Sequence, residues 1–493
     1  MNLRPLWITV LATASLTLFF QLLTLNAPGL SGDEGMYVLV LDQLHKIFGG
    51  HLPDLNPVID YEGPSDFWIL AGPYALLTQA FGIQAQAWMI RISPLLFNWV
   101  CFCFLISEIK KWSERLALNT LLIFSLTPIA LVYCHIGYPQ TLLMGTFALL
   151  LGESLRTVRI LREGGEPRLF RLAIICGLGM QIHASAPLGA LAVLMPVLPL
   201  IIRRLHPQRF IQAVCLFLVL AYPEFRNYPP PIIGGNNDGG TLFLQIRSLA
   251  NITTGLQPFE FWLTRDWAST FIHVSILAGI VFILATSFMA RISRKTPFDQ
   301  TLFLLWLGQI LATVIIVLTC LRGRSLHVHG NERYLLSLVP GWILLQADGL
   351  SEVLTRYKLP KAACGSLFVL FVGLQFMRFF APLLTDLQTP DPSLQSARWL
   401  SANCPPARCV AYAENFWNYW PIRYYSGDQI ALNFTDYNWK PVPTYSTLGK
   451  EIAGCWYSHS RNAYQGKSSE KIEFPGKIWA PAQVCYKGVE LAR

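Results

Sequence analysis

The chain has 493 residues, 53% of them hydrophobic and only 14% charged, with a mean hydropathy of +0.41. A soluble globular protein carries about 25% charged residues, so this composition excludes an ordinary soluble domain and points to an all-α polytopic membrane protein. The net charge of +9 does not mark a nucleic-acid binder: Lys and Arg sit in short loops between apolar runs, as orientation signals do, and no basic tract of the nucleic-acid kind occurs.

The first apolar run, 5–25, follows a lone early Arg4 and is long enough to span a bilayer. Its apolar core is longer than that of a cleaved signal peptide, so it reads as a retained helix. Further spans are expected at 88–108, 116–135, 141–158, 170–184, 186–202, 210–223, 268–290, 300–320, 334–349 and 363–384, about eleven with the first.

Segment 65–81 is the ambiguous one, a twelfth span or a helix lying in the interface. With Met1 cytoplasmic and 65–81 not crossing, five basic loops share the cytoplasmic side. They hold Lys110, Lys111 and Arg115; Arg156, Arg159, Arg162, Arg168 and Arg171; Arg203, Arg204 and Arg209; Arg291, Arg294 and Lys295; and Arg356, Lys358 and Lys361. If 65–81 crosses, all of them move outside. An interfacial helix is therefore expected, in keeping with Asp66, Thr78 and Gln79.

That topology puts loops 26–87, 134–140, 224–267 and 321–333 on the outer face, together with residues 385–493. The expected division is a transmembrane domain over 1–384 and a small α/β or α+β domain over 385–493, with candidate strands at 409–412 and 429–433. Seven cysteines lie in apolar runs; Cys404, Cys409, Cys455 and Cys485 lie in the polar tail and fit disulfides in an oxidising compartment, in any of three pairings. Asn251 and Asn433 open glycosylation-type triplets, which are common by chance.

Asp33 and Glu34 stand side by side in the first outer loop, which is acidic apart from Lys46. A helix cap by Ser31 or Asp33 on the amphipathic run 36–48 would account for one carboxylate, not two. A carboxylate at a bilayer surface can serve as general base on an acceptor, or hold a divalent cation; the cation is left open and no metal ligand is assigned. Glu62 precedes Pro64, in ordinary helix-start grammar. His135 and Tyr138 occupy a short turn between spans and can face a substrate. Loop 321–333 carries Arg322, Arg324, His327, His329 and Arg333 on the outer face, against the positive-inside trend. Phosphate gives such charge a purpose, since guanidinium binds its oxygens bidentately; pairing with the acidic first loop is the other account, and an HxH metal pair a weak third.

These elements in this order resemble the GT-C superfamily of membrane glycosyltransferases, near bacterial aminoarabinose transferases, protein mannosyltransferases and lipopolysaccharide sugar transferases. The pattern is carried by Asp33, Glu34 and Tyr37 after the first helix, Glu62-Gly63-Pro64 at a juxtamembrane helix, Arg91-Ile92-Ser93-Pro94 at the next, Tyr138-Pro139 in the second outer loop, and Arg333 to Pro340, with Tyr334, later. The resemblance implies an enzyme of the bacterial inner membrane with a periplasmic tail. It would move a sugar from a polyprenyl phosphate or diphosphate donor to a glycan, lipid or protein acceptor. Asp33, with Glu34, would be the catalytic carboxylate. Arg333, with Arg322 or Arg324, would hold the donor phosphate. Gly63 stands where aminoarabinose transferases have Lys, and Tyr138 where many members have an acid. The rival class is a transporter or flippase of a lipid-linked glycan, which would place charge near the midplane of its helices.

Overall fold

The computed structural model describes residues 4–27, 29–30, 32–35, 72–138, 140–183, 185–204, 206–227, 249–255, 267–294, 296–321, 332–357, 369–370, 372–374, 376–427, 429–434, 445–446, 449–458, 470–477, 480 and 482–489. Within these the chain is mostly helical, with a small C-terminal sheet. It divides into two compact units. The first draws on 1–21, 58–66 and 94–379, the second on 22–57, 67–93 and 380–493.

The first unit is built from long apolar helices. α1 is Arg4–Leu23, α2 the short turn Gly32–Gly35 of the second unit, and α3 Trp88–Lys110. α4 (Glu114–Leu126) starts at the Ser113 cap, whose side chain accepts the Leu116 amide. The span expected at 116–135 is broken at Thr127, because Pro128 has no amide to continue the ladder and opens α5 (Pro128–Tyr133) instead. α6 (Thr141–Arg162) and α7 (Leu169–Ile182) follow. The run 186–202 divides into α8 (Ala186–Leu194) and α9 (Leu198–Arg203) for a related reason: Pro196 and Pro199 fall within it. α10 (Pro207–Asn227), α11 (Trp267–Ser293), α12 (Pro297–Leu321), a 3₁₀ turn over Glu332–Leu338 and α13 (Val339–Arg356) complete the bundle. Among the described residues five stretches are long and apolar enough to cross a membrane, and two shorter apolar helices accompany them.

Contacts within this unit put the described parts of the five basic loops at one end. Glu108 meets Lys111 at 2.6 Å and Arg159 at 3.5 Å. Arg209 pairs with Glu166, and Arg204 donates to the Gly165 carbonyl at 3.4 Å. Arg162 reaches Thr301 at 3.3 Å, Arg115 reaches Thr355 at 2.8 Å, and Arg294 pairs with Glu352 at 2.7 Å. The start of α1 belongs to the same end, since Trp7 Nε1 donates to Glu114 at 2.6 Å and Lys110 lies 4.8 Å from its ring. Farther along α1, Gln21 bonds Trp99 of α3 and the Leu131 carbonyl of α5. α1 and α3 are therefore antiparallel, and α1 ends where α3 begins. Phe376 packs on Phe20 at 5.0 Å and Phe379 on His135 at 6.0 Å, so the chain leaves this unit at the end opposite the basic loops.

The second unit contains a mixed five-stranded sheet. β1 (Cys409–Ala413), β2 (Leu432–Phe434), β3 (Glu451–Tyr457), β4 (Glu470–Phe474) and β5 (Gln483–Lys487) run in the order β2-β1-β3-β5-β4. β1 pairs in parallel with β2 and β3; β5 pairs antiparallel with β3 and β4. Of the helices, α14 is Ala381–Asp386, α15 is Pro392–Asn403 and α16 is Phe416–Ser426. α15 packs against β5, and α16 against β1 and β2. The central β1, with Val410 and Ala411 fully buried, reads Cys-Val-Ala-Tyr-Ala, an apolar run suited to a strand covered on both faces. Of the three cysteine pairings, the structure forms Cys404–Cys409 and Cys455–Cys485, the latter directly opposite one another on β3 and β5.

Candidate active site around the Asp33 turn

The candidate segment of the second unit runs from Leu25 to Gly35, and Arg91, in the first turn of α3, organises it. Arg91 is fully buried. Its Nε and Nη2 donate to the two carboxylate oxygens of Glu34, each at 2.7 Å. Nη1 donates to the Leu25 carbonyl at 2.8 Å and Nη2 also to the Gly29 carbonyl at 3.1 Å. A planar guanidinium can serve a carboxylate and two carbonyls at once because its donors fork in one plane. Burying both charges costs several kcal/mol each before their attraction is counted; the bidentate geometry and the added carbonyls are what offset it.

Asp391 grips the same segment. Its Oδ1 accepts the Ser393 amide at 2.8 Å, capping α15. Its Oδ2 accepts the Leu30 amide at 2.8 Å and the Tyr425 hydroxyl at 2.9 Å. Burial pushes the Asp391 carboxyl above the usual carboxylate range, against the pull of these three donors. Burial, and then the Asp391 charge, push the Tyr425 phenol well above its ordinary value, so it stays protonated and donates. Lys477 Nζ adds a bond to the Asn26 carbonyl at 3.3 Å.

α16 supplies the wall. Gly35 lies so close to it that a Cβ there would stand 2.4 Å from the Trp420 carbonyl carbon, so no side chain fits without backbone movement. On the same helix Tyr424 stacks on Tyr74 at 4.4 Å, and its hydroxyl donates to the Gln86 carbonyl at 3.0 Å.

Asp33 lies on the α2 turn, beside Glu34, but its side chain is outside the described residues. Tyr37, Glu62, Arg322, Arg324, His327 and His329 are outside them as well, as is the run 36–48. Arg333 and Tyr334 fall on the 3₁₀ turn 332–338, with their side chains outside the description. In the first unit, His135 is fully buried after α5 and meets the Phe379 ring edge-on. Tyr138 is half-buried, and its carbonyl accepts the Thr141 hydroxyl at 2.6 Å. Of the expected site residues the structure thus gives side-chain surroundings for Glu34 and His135, and the burial of Tyr138. Among the described residues no three His, Cys, Asp or Glu converge in a metal-binding group. Asp391, Tyr424 and Tyr425 are absent from the sequence reading. The cap signal Asp391-Pro392-Ser393 was legible, but nothing local to it points to Leu30.

The fold of the chain is shared by solved structures of low sequence identity. The solved structures that share it include the aminoarabinose transferase ArnT from Cupriavidus metallidurans. Its apo form matches at a TM-score of 0.59 with 13% identity, covering 97% of each chain; its undecaprenyl phosphate complex matches at 0.62 with 14% identity, covering 98% of each. The archaeal oligosaccharyltransferase AglB from Archaeoglobus fulgidus, solved with an inhibitory peptide and a dolichol-phosphate, matches at 0.48 with 13% identity over 93% of this chain and 70% of that one. No protein-family model and no curated protein matches the sequence.

Proposed function

We propose that this protein is a membrane glycosyltransferase that moves a sugar from a polyprenyl phosphate or diphosphate donor to a glycan, lipid or protein acceptor. The observation that carries the reading is the ArnT fold along the whole chain, one of the matching structures being an undecaprenyl phosphate complex. Asp33 is the general base. It takes the proton of the acceptor hydroxyl or amine as that atom attacks the anomeric carbon. The bond from that carbon to the phosphate oxygen breaks, and the lipid phosphate leaves with the electron pair. Arg333, with Arg322 or Arg324, stabilises the charge on the leaving phosphate. Glu34 serves through its grip on Arg91, and Tyr37, Glu62, His135, Tyr138 and Tyr334 contribute to the substrate site. A divalent cation remains an optional partner of Asp33.

The proposed setting is the bacterial inner membrane, with about eleven spanning helices over 1–384 and residues 385–493 in the periplasm. Its support is the gathering of basic loops and the start of α1 at one end of the first unit, as the positive-inside rule requires. The departure of the chain from the opposite end, near Phe379, agrees with it.

The test is transfer by the protein in lipid nanodiscs, supplied with glycolipids extracted from host membranes and read by mass spectrometry. Asp33→Asn should lower product formation by about 10²–10⁴-fold, the usual worth of a general base. Full transfer by that variant would remove Asp33 from the role.

A further inference from the structure

The carbonyl of Gly29 and the amide of Leu30 belong to one peptide group, planar because of its partial double bond. Arg91 donates to its oxygen at 3.1 Å and Asp391 accepts from its nitrogen at 2.8 Å. A cation on the negative end of the peptide dipole and an anion on its positive end hold that plane from both sides. Gly29 packs closely on Ala480, where a Cβ on residue 29 would lie 2.2 Å from that of Ala480, so no side chain fits there without movement. Glu34, four residues after Leu30, is fixed by the same Arg91. The α2 turn with Asp33 therefore hangs between two anchors, at 29–30 and at 34. One anchor is a residue 361 positions away in sequence, in the C-terminal part of the chain.

From this we infer that Asp391 is a positioning residue for Asp33: by holding the 29–30 peptide, with Tyr425 fixing its carboxylate, it sets where the catalytic turn stands. The inference rests on the reading of Asp33 as the base. It gives the C-terminal part of the chain a role in catalysis. Misplacing a reacting group by about 1 Å costs on the order of 10²-fold in rate, so a loosened anchor should appear in turnover and not in donor affinity.

Asp391 also caps α15, so the informative variant is Asp391→Ser. Serine remains a good N-cap, but it is too short to hold the Leu30 amide and the Tyr425 hydroxyl as well. Hydrogen exchange read on peptides covering 24–35 should quicken by about tenfold or more, in line with the loss of a hydrogen bond to a charged acceptor, while peptides from β1 and β3 keep their protection. Turnover should fall by about 10–100-fold, and the affinity for undecaprenyl phosphate alone should stay within about twofold of the parent. Unchanged exchange over 24–35 would overturn the inference, as would faster exchange with full turnover. If Asp391→Ser does not fold, Tyr425→Phe is read on the same peptides and should shift them the same way by less; no shift there also overturns it. Should Asp33→Asn prove fully active, the base assignment falls, while the exchange measurement still decides whether Asp391 holds the turn.

Discussion

At the scale of single residues, Glu34 is the member of the Asp33-Glu34 pair whose side-chain surroundings the structure describes. Glu34 is buried without exposure and carries a bidentate bond from a buried arginine. Such a pair is worth little as a stabiliser compared with a packed apolar pair, yet breaking it strands a charge. Arg91→Met should therefore lower unfolding stability by about 3–5 kcal/mol, read as a shift of the denaturation midpoint in detergent. Adding Glu34→Leu should recover much of the loss, because no unpaired carboxylate then remains. If the double variant is as unstable as the single one, the two carbonyls held by Arg91, rather than Glu34, carry the effect. The sequence placed Arg91 in a motif without indicating a partner, since its distance of 57 positions from Glu34 is invisible to local reasoning.

At the scale of elements, the tail holds a strand next to each expected position, and prolines explain where helices stop. The run 409–412 became β1, and part of 429–433 became β2. What spacing left open was the cysteine pairing, which depends on strand order: β5 lies beside β3, and this puts Cys455 opposite Cys485. The bridge closes 30 positions, against 5 for Cys404–Cys409. Since a crosslink acts mainly by restricting the unfolded chain, more so for longer loops, Cys455→Ser with Cys485→Ser should cost about 2–4 kcal/mol. Cys404→Ser with Cys409→Ser should cost less. Thermal unfolding of both double variants in detergent checks the order.

At the scale of the whole molecule, the parity of the helical arms carries the topological proposal. α1 and α3 are antiparallel, which supports the proposal that the intervening segment 65–81 does not cross. Of that segment, residues 72–80 are helical. A reporter that is active only in the periplasm should thus give signal when fused after Arg493 and none when inserted after Arg356. Signal from the second fusion, or silence from the first, would reverse the proposed orientation.

By itself the sequence determined the apolar helices, the punctuation of prolines within them, the strands of the tail and the grouping of Lys and Arg into loops. Each of these follows from the chemistry of neighbouring residues: side-chain hydropathy, a missing amide, a repeated charge. It also singled out the Asp33-Glu34 pair and an order of motifs that resembles the GT-C superfamily. Only the tertiary structure decided that Arg91 engages Glu34, that Asp391 reaches the Leu30 amide, that Gly35 must be bare against Trp420, and which cysteines meet. Those contacts join positions far apart in the chain, and a residue's type says which bonds it can form but not which distant partner the fold will bring to it.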